Sequence, residues 1–581
     1  MNENQKIAEI FYEIAEYLNM KNIPFKPRAY EKAAEVLEGL EENVSLIYEK
    51  GGIAALEKIP GIGLSLAQKI EEFIKTKKIK YYEELKKELP VNLEELRKVE
   101  GLGPQSIKKL YDYLKIKNIN DLKKAALNGK IRNLPGFGKK SEEKILKSLE
   151  FLSKSQNRFL LYKVLPQIEE IKSELEKVKG VKKVVIAGSI RRMKETVGDA
   201  DILVISSQPQ NVIERFTKLN NVVKVTSAGS TKAAVKLNFG MNVDLRIVEE
   251  KSFGAALNYF TGSKAHNIAL RELSIKKGLK LNEYGLFKIS ANQEKFVAGE
   301  NEEEIYQYLG MDYIEPELRE NTGEIELALN HRLPKIIGYQ DLLGDLQVQT
   351  NWSDGTFSIE EMALSAYRFG LKYIAITDHT KNLSVANGLD EKRILKQIKE
   401  IDKINDKFKK QGINFTILKG SECDILKDGS LDLPDEILKK LDIVGASVHT
   451  YFNLSKAEQT QRIIKAMQNP NVDIIFHPTG RVLQKREAYE VDIDEIIKTA
   501  KETKTVLEID AYPERLDLKD EYIKKCVEGG VKMSIDSDAH SKEHYEYLKY
   551  GIAQARRGFA KKIDIINAWP LSKMLKFLKQ K

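Results

Sequence analysis

The spacing of apolar positions changes character twice along this chain. Up to about residue 150, apolar side chains recur every three to four residues with lysines on the polar faces, which predicts one amphipathic helix after another. From about 155 the runs VKKVVIAGS (181–189), DADILVIS (199–206), AAVKLNF (233–239) and NVDLRIV (242–248) read as β-strands separated by helical stretches. A small helical and strand-containing unit follows to about 317. Beyond 339, YIAIT (373–377), FTILKG (415–420), DIVGAS (442–447), DIIF (473–476), TVLEI (505–509) and VKMSI (531–535) alternate with helices. That βα repetition predicts a mostly parallel sheet or barrel, a fold whose ligands collect at the carboxyl ends of its strands. Between these parts, 315–338 has little periodicity and carries Pro316, Gly323 and Pro334, so 318–338 is expected to be a linker. The chain thus divides into helical units at 1–88 and 89–152, mixed units at 153–250 and 251–317, and a barrel-like unit at 339–575, a multidomain α/β protein.

A short segment repeats in the helical part. KIPGIGLSLAQKI (58–70), KVEGLGPQSIKKL (98–110) and NLPGFGKKSEEKI (133–145) share one register, and each Gly-x-Gly falls where one helix stops and another begins. A single such pair is usually only a turn. Three together, each ahead of a helix bearing basic or amide side chains, point to helix N-termini offered to phosphates. Such contacts hold a duplex without reading its sequence. Gly61, Gly63, Gly101 and Gly103 are candidate clamps; Gly136 and Gly138 either clamp or pack.

Composition narrows the class. With 42% hydrophobic and 31% charged residues, a net charge of +9 and a pI near 8.9, the chain reads as folded, highly charged and able to meet a polyanion. Heat adaptation or genome bias would enrich lysine equally. No apolar run is long enough for a bilayer, the N-terminus reads as an amphipathic helix without signal-peptide features, and Cys423 with Cys526 offers no disulfide framework. A cytoplasmic monomer without a membrane partner is expected.

Candidate chemistry concentrates in AGSIRRMKETVGDADILV (187–204). Gly188 and Ser189 close a strand and open a short helix, so amides and a hydroxyl can hold phosphate oxygens. Asp199 and Asp201 alternate along a strand and share a face, and Asp244 would lie on a neighbouring strand. An isolated Asp-x-Asp is mostly a solvated strand edge. Joined to the Gly-Ser turn, Arg191-Arg192 and a third carboxylate, it predicts a site for two Mg²⁺ or Mn²⁺ ions suited to in-line phosphoryl transfer.

With these motifs the chain resembles DNA polymerase family X, the group that includes polymerase beta, and the likeness continues through LNYFTGSKAHNIALRELSIKKGLKLNEYGLF (257–287). The resemblance covers most of 1–317. It implies a lyase-like helix-hairpin-helix domain, a fingers-like helical domain, a nucleotidyltransferase palm and a thumb. It implies that Ser189, Arg192 and Gly198 contact the triphosphate, that Tyr259, Phe260 and Gly262 shape the sugar pocket, and that Asn267 and Arg271 face the nascent pair and template. Arg246 would help switch the carboxylates, with Glu283 and Tyr284 supporting the closed thumb. Asn242 departs from the arginine often found in vertebrate relatives. Lys69 matches the Schiff-base lysine of the family's deoxyribose-phosphate lyase, with Lys26 and Tyr30 at its phosphate pocket, although a helix lysine is commonly a solvated phosphate contact.

Four of seven histidines, His379, His449, His477 and His540, fall at predicted strand ends beyond 339, accompanied by Asp354, Glu422 and Asp538. This mixture suits a multinuclear Zn²⁺ or Mn²⁺ centre. The strings WSDG, ITDH, GSECDI, SVHT, FHPTGR and SDAH resemble the polymerase-and-histidinol-phosphatase (PHP) domain found at the C-terminus of bacterial family X polymerases, associated with 3′–5′ exonuclease and abasic-site cleavage. The family opens on His-x-His; this chain has Gln347 and Gln349 there. By resemblance, a first metal would draw on positions 347 and 349 with Glu422 and Asp538, a second on Glu422, His449 and His477, and a third on Asp354, His379 and His540. A weakened or silent nuclease follows.

The expected function is templated gap filling in base excision repair, on gapped or primed duplex DNA with deoxynucleoside triphosphates. A DNA-targeted phosphoesterase is opposed by the Gln pair, and a non-catalytic scaffold by the intact carboxylates. A template-independent transferase shares the triad, but the hairpins and Arg271 favour a duplex template.

Overall fold

The structure, a computed structural model, describes residues 3–38, 40, 43–59, 61–99, 101–155, 158–290 and 293–580. Pro60 and Glu100, inside the first two repeats, lie outside them. From Glu3–Met20 to Lys139–Ser155 the chain is helical, and one apolar core running from Ile7 to Leu149 serves both helical units. The three repeats fold alike. Gly61, Gly101 and Gly136 take φ of 86°, 82° and 86°, and Ile62, Leu102 and Phe137 each donate to the carbonyl three residues back. Gly63 and Gly103 then cap the helices Leu64–Thr76 and Pro104–Leu114 without a side-chain cap, leaving the first helical amides uncapped by protein side chains.

Residues 181–247 form a five-stranded sheet in the order Val181–Ile186, Asp199–Ser206, Asn242–Ile247, Lys232–Leu237, Val222–Ala228. The two strands carrying the acidic residues run parallel, and every other pair is antiparallel. The edge strand Val222–Ala228 shows almost no buried position, which is why alternation did not reveal it. The helices Phe253–Thr261 and Lys264–Lys276 and a three-stranded antiparallel sheet complete the next unit.

The stretch expected as a linker is instead packed. It carries the helix Glu324–Leu329, and Arg319 and Glu324 are wholly buried, paired with Glu302 and His266. Its order rests on charged groups and hydrogen bonds, so it offers no apolar period to read.

The last unit is a seven-stranded parallel barrel, from Gly344–Val348 to Met533–Asp536 in sequence order. A parallel bridge between Val348 and Ala539 joins its first and last strands. Capping boxes at Ser358/Glu361 and Ser455/Glu458 start two of its helices. Leu516 and Tyr550 of the barrel lie inside the core of the five-stranded unit, and Arg481 pairs with Glu195 at 2.8 Å, so the two units are joined through a common core. No helix among the described residues is long and apolar enough to cross a membrane.

Candidate functional site

The parallel register places Asp201 opposite Asp244, with Asp199 two residues back on the same face. Burial, then Asp199 and Asp244, push the Asp201 carboxyl up to about 7, and burial with Asp199 also raises Asp244, while Arg246 and Arg192 pull the other way on Asp201. Three carboxylates in mutual repulsion at a half-open surface call for a cation, and oxygen donors suit Mg²⁺ or Mn²⁺.

The surrounding residues fall where the motif requires. Gly188 opens the four-residue helix Gly188–Arg191 at φ 65°, and a Cβ there would stand 2.5 Å from Asp201 Oδ2, so only glycine lets the turn and the carboxylate coexist. Gly198 lies between Thr196–Val197 and the Asp199 strand. Tyr259 and Phe260 occupy the last turn of their helix with ring centroids 5.1 Å apart, and the Arg246 guanidinium stacks 4.7 Å from the Phe260 centroid. Asn267 Nδ2 donates to the Tyr259 carbonyl at 2.7 Å and Arg271 Nε to the Asn267 carbonyl at 3.3 Å. Tyr284 is exposed at a hairpin turn that Asn282 holds.

Arg191 and Arg192 part company. Arg191 makes a two-pronged pair with Glu302, at 3.0 and 2.6 Å, and Arg319 Nη1 shares the Oε1 of that carboxylate. Burial works against Glu302, but Arg319 and Arg191 hold its carboxyl at about 2. Arg192 gives Nε to Glu320 at 2.9 Å and Nη1 to the Thr261 carbonyl. Beneath the Tyr259–Ser263 turn, His266 bridges Glu324 at 2.7 Å and the Tyr306 hydroxyl at 3.1 Å. Sequence reasoning missed Glu302, Arg319, Glu320 and Glu324; the last three lie in the charge-rich string read as linker, and Glu302 opens the helix Glu302–Tyr308 before it.

At the carboxyl ends of the barrel strands, two clusters can hold a metal ion: Asp354 with His379 and His540, and His379 with Glu422 and His449. His477 Nε2 lies 2.9 Å from Glu422 Oε1, and His449 Nε2 lies 3.2 Å from the same oxygen. Asp424, another residue missed, accepts from His449 Nδ1 at 2.6 Å and fixes that ring as an outer-shell partner does. Despite burial, Asp424 and Glu422 lift His449 to about 9, and Asp538 and Asp354 lift His540 to about 10. Protons thus fill positions a divalent ion would compete for. Buried His379 Nδ1, common to both clusters, has no hydrogen-bond partner among the described residues, a further sign that they fit a metal; His477, expected beside Glu422 and His449, stands outside the second cluster, where His379 takes its place.

The Gln pair turns its amide nitrogens, not its oxygens, onto Glu422. Gln347 Nε2 and Gln349 Nε2 both donate to Glu422 Oε2, at 3.2 and 2.9 Å, so the amides present N–H to the carboxylate they would share an ion with. Nearby, Arg515 Nε lies 3.7 Å from Asp538 Oδ2 and 3.5 Å from Asp510 Oδ2. Asp378, after the strand Tyr373–Ile376, is occupied by hydrogen bonds. It accepts from Thr350, Ser353 and Gln397 and braces the 350–354 loop.

In the N-terminal region, Lys69 Nζ stands 5.9 and 5.5 Å from the Tyr30 and Tyr81 ring centroids and donates to Ser65. Burial and Lys26 lower its pKa, against Glu72. A Cβ at Gly63, Gly101, Gly103 or Gly138 would meet nothing within 4 Å, so these backbones are open to a ligand, whereas one at Gly136 would stand 3.0 Å from Lys109 Nζ.

Four family models match the chain: the DNA polymerase beta thumb at 256–320, a helix-hairpin-helix domain at 2–79, a SAM-like helix-hairpin-helix tandem at 93–150, and the PHP domain at 345–567. The DNA polymerase/3′-5′ exonuclease PolX of Bacillus subtilis (strain 168) is 39% identical over 577 residues, 99% of each chain. A probable phosphatase of Thermoanaerobacter is 37% identical over 210 residues, 34% of this chain and 79% of its own. A crystal structure of Leishmania infantum polymerase beta, a ternary P/T complex, matches 39% of this chain and 97% of its own at 23% identity, with a TM-score of 0.26 that supports no inference.

Proposed function

The chain belongs to the family X DNA polymerases that carry a C-terminal PHP domain, and on that ground we propose that it fills short gaps in duplex DNA during base excision repair. It is a DNA-directed DNA polymerase, a nucleotidyltransferase whose substrates are primed template DNA and deoxynucleoside triphosphates. The observation that carries the reading of the site is the Asp201–Asp244 register, which gathers mutually repelling carboxylates beside a phosphate-holding turn. Asp199, Asp201 and Asp244 would hold two Mg²⁺ or Mn²⁺ ions. When bound, such ions lower the pKa of a primer 3′-hydroxyl and neutralise charge on the transferred phosphoryl group and departing pyrophosphate. Ser189, Arg192 and Gly198 bind the triphosphate, Tyr259, Phe260 and Gly262 exclude a 2′-hydroxyl, and Asn267 and Arg271 meet the nascent pair. The glycine turns grip the duplex backbone on either side of the gap, so binding weakens as salt rises. Primer extension on a one-nucleotide-gapped duplex should add one templated nucleotide and release pyrophosphate. Equal extension of a single strand with no template would replace this reading with a template-independent transferase.

The barrel, by the same reading, is of the 3′–5′ exonuclease type and holds Zn²⁺ or Mn²⁺ in two clusters, with the first site depleted by Gln347 and Gln349 and nuclease activity weak or absent. Lys69 is read as a lyase nucleophile, on the strength of its lowered pKa between Tyr30 and Tyr81. Borohydride should trap an adduct on an incised abasic duplex, and Lys69→Ala should remove it. No adduct with the unmodified protein leaves Lys69 as a phosphate contact only.

A further inference from the structure

The barrel helix Leu548–Arg557 ends against the palm, and its last residue reaches the candidate triphosphate pocket. Arg557 is buried; its Nη1 lies 3.3 Å from the carbonyl oxygen of Arg192 and 3.3 Å from Glu320 Oε1, and its Nη2 pairs with Asp520. The same Glu320 oxygen accepts from Arg192 Nε at 2.9 Å and lies 3.8 Å from Lys194 Nζ. Arg192 Nη1 is committed to the Thr261 carbonyl, and a Cβ on Gly262 would stand 3.1 Å from that nitrogen. Two nitrogens of the guanidinium are thereby held, while Nη2 has no hydrogen bond among the described residues. Glu320 serves three cations, and Asp520 shares two of them, Arg557 and Lys194. Against burial, Arg192, Lys194 and Arg557 together keep Glu320 below the usual carboxylate range.

We propose that Glu320 and Arg557 are positioning residues for the incoming nucleotide: Glu320 aims Arg192, and Arg557 neutralises Glu320 so that it does not compete with a triphosphate for that guanidinium. This rests on the reading of Arg192 as a triphosphate contact. A carboxylate alone beside a triphosphate repels it and captures the cation meant for it; with Arg192, Lys194 and Arg557 set against Glu320 and Asp520, the cluster keeps one positive charge in excess and one edge of the Arg192 guanidinium free for the ligand. The barrel then forms part of the polymerase site, whatever its own metal centre retains.

Steady-state kinetics of the full chain on a gapped duplex tests this. Arg557→Met is expected to raise the nucleotide KM roughly tenfold, the scale of one charge-assisted hydrogen bond, with kcat within about twofold. Adding Glu320→Gln to that variant should return KM to within about threefold of the unmodified protein, because the competing charge is gone, and Arg557→Lys should fall between. Arg556→Met removes a 2.8 Å pair with Glu317 in the same interface and should leave KM unchanged. A double variant as impaired as Arg557→Met, or an equal rise in KM from Arg556→Met, overturns the proposal by showing that Arg557 acts through packing. Arg192→Ala separates the two readings. If it leaves KM unchanged, the triphosphate assignment itself fails; if it raises KM while Arg557→Met does not, only the positioning role fails.

Discussion

Asp201→Ala is expected to lower primer extension by at least about 1,000-fold while duplex affinity stays within about twofold. Asp201 is the central carboxylate of the three. It faces Asp244 across a parallel register, shares a face with Asp199, and its Oδ2 sits against Gly188 at the start of the phosphate-holding turn. Burial first, and then the charges of Asp199 and Asp244, push its carboxyl up against the pull of Arg246 and Arg192. A pair of divalent ions would relieve that repulsion, and alanine removes the central carboxylate that would help hold them. Folding should not suffer, since the substitution deletes a half-buried, mutually repelled charge. Gapped-duplex extension and a salt-dependent binding titration, run side by side, check both parts. Extension retained within tenfold of the unmodified rate would remove Asp201 from the catalytic set.

Restoring histidine at both positions, Gln347→His with Gln349→His, is expected to add one tightly bound divalent ion per chain and to bring up a Mn²⁺-dependent 3′–5′ exonuclease. Gln347 lies on the first barrel strand and Gln349 one residue past its end, with both amides turned onto Glu422. Imidazole would offer a nitrogen lone pair where the amides offer N–H. By proportion to zinc sites with four strong ligands, losing two costs several kcal/mol, so affinity at the first site should be lower by about 1,000-fold or more in the natural chain. Metal analysis of the purified protein reads this directly, independent of activity. A natural chain that already carries three ions, or a histidine variant that gains none, would falsify the depleted-site reading.

Much of this architecture was legible because its signals are local. A strand of period two displays its carboxylates on one face wherever it is packed, so Asp199 and Asp201 could be paired from spacing alone. Gly-x-Gly at a helix start is equally local: the positive φ of Gly61, Gly101 and Gly136 is a property of three residues and one turn. The strand ends carrying His379, Glu422, His449 and His477 followed from alternation of strand and helix. By contrast, the segment 318–338 looked like a tether. Arg319 and Glu324 are held by Glu302 and His266, partners 17 and 58 residues away, and no window of sequence shows such a bond. Asp424 behind His449 and Asp378 beneath the 350–354 loop were hidden for the same reason.

Taken alone, the sequence determined which chemical groups the chain can offer: three strand carboxylates suited to cations, histidines with carboxylates at the barrel strand ends, glutamines at positions 347 and 349, and glycine turns that expose backbone amides. Those depend on residue identity and on spacings of a few positions, which the chain carries wherever it folds. Only the tertiary structure decided what holds each group in place. Arg192 is aimed by Glu320, Glu320 is shared with Arg557 from a helix more than two hundred residues downstream, and barrel and palm are joined through Leu516 and Tyr550. Buried ion pairs between distant elements obey geometry and desolvation rather than periodicity, so they exist only once the chain has closed around them.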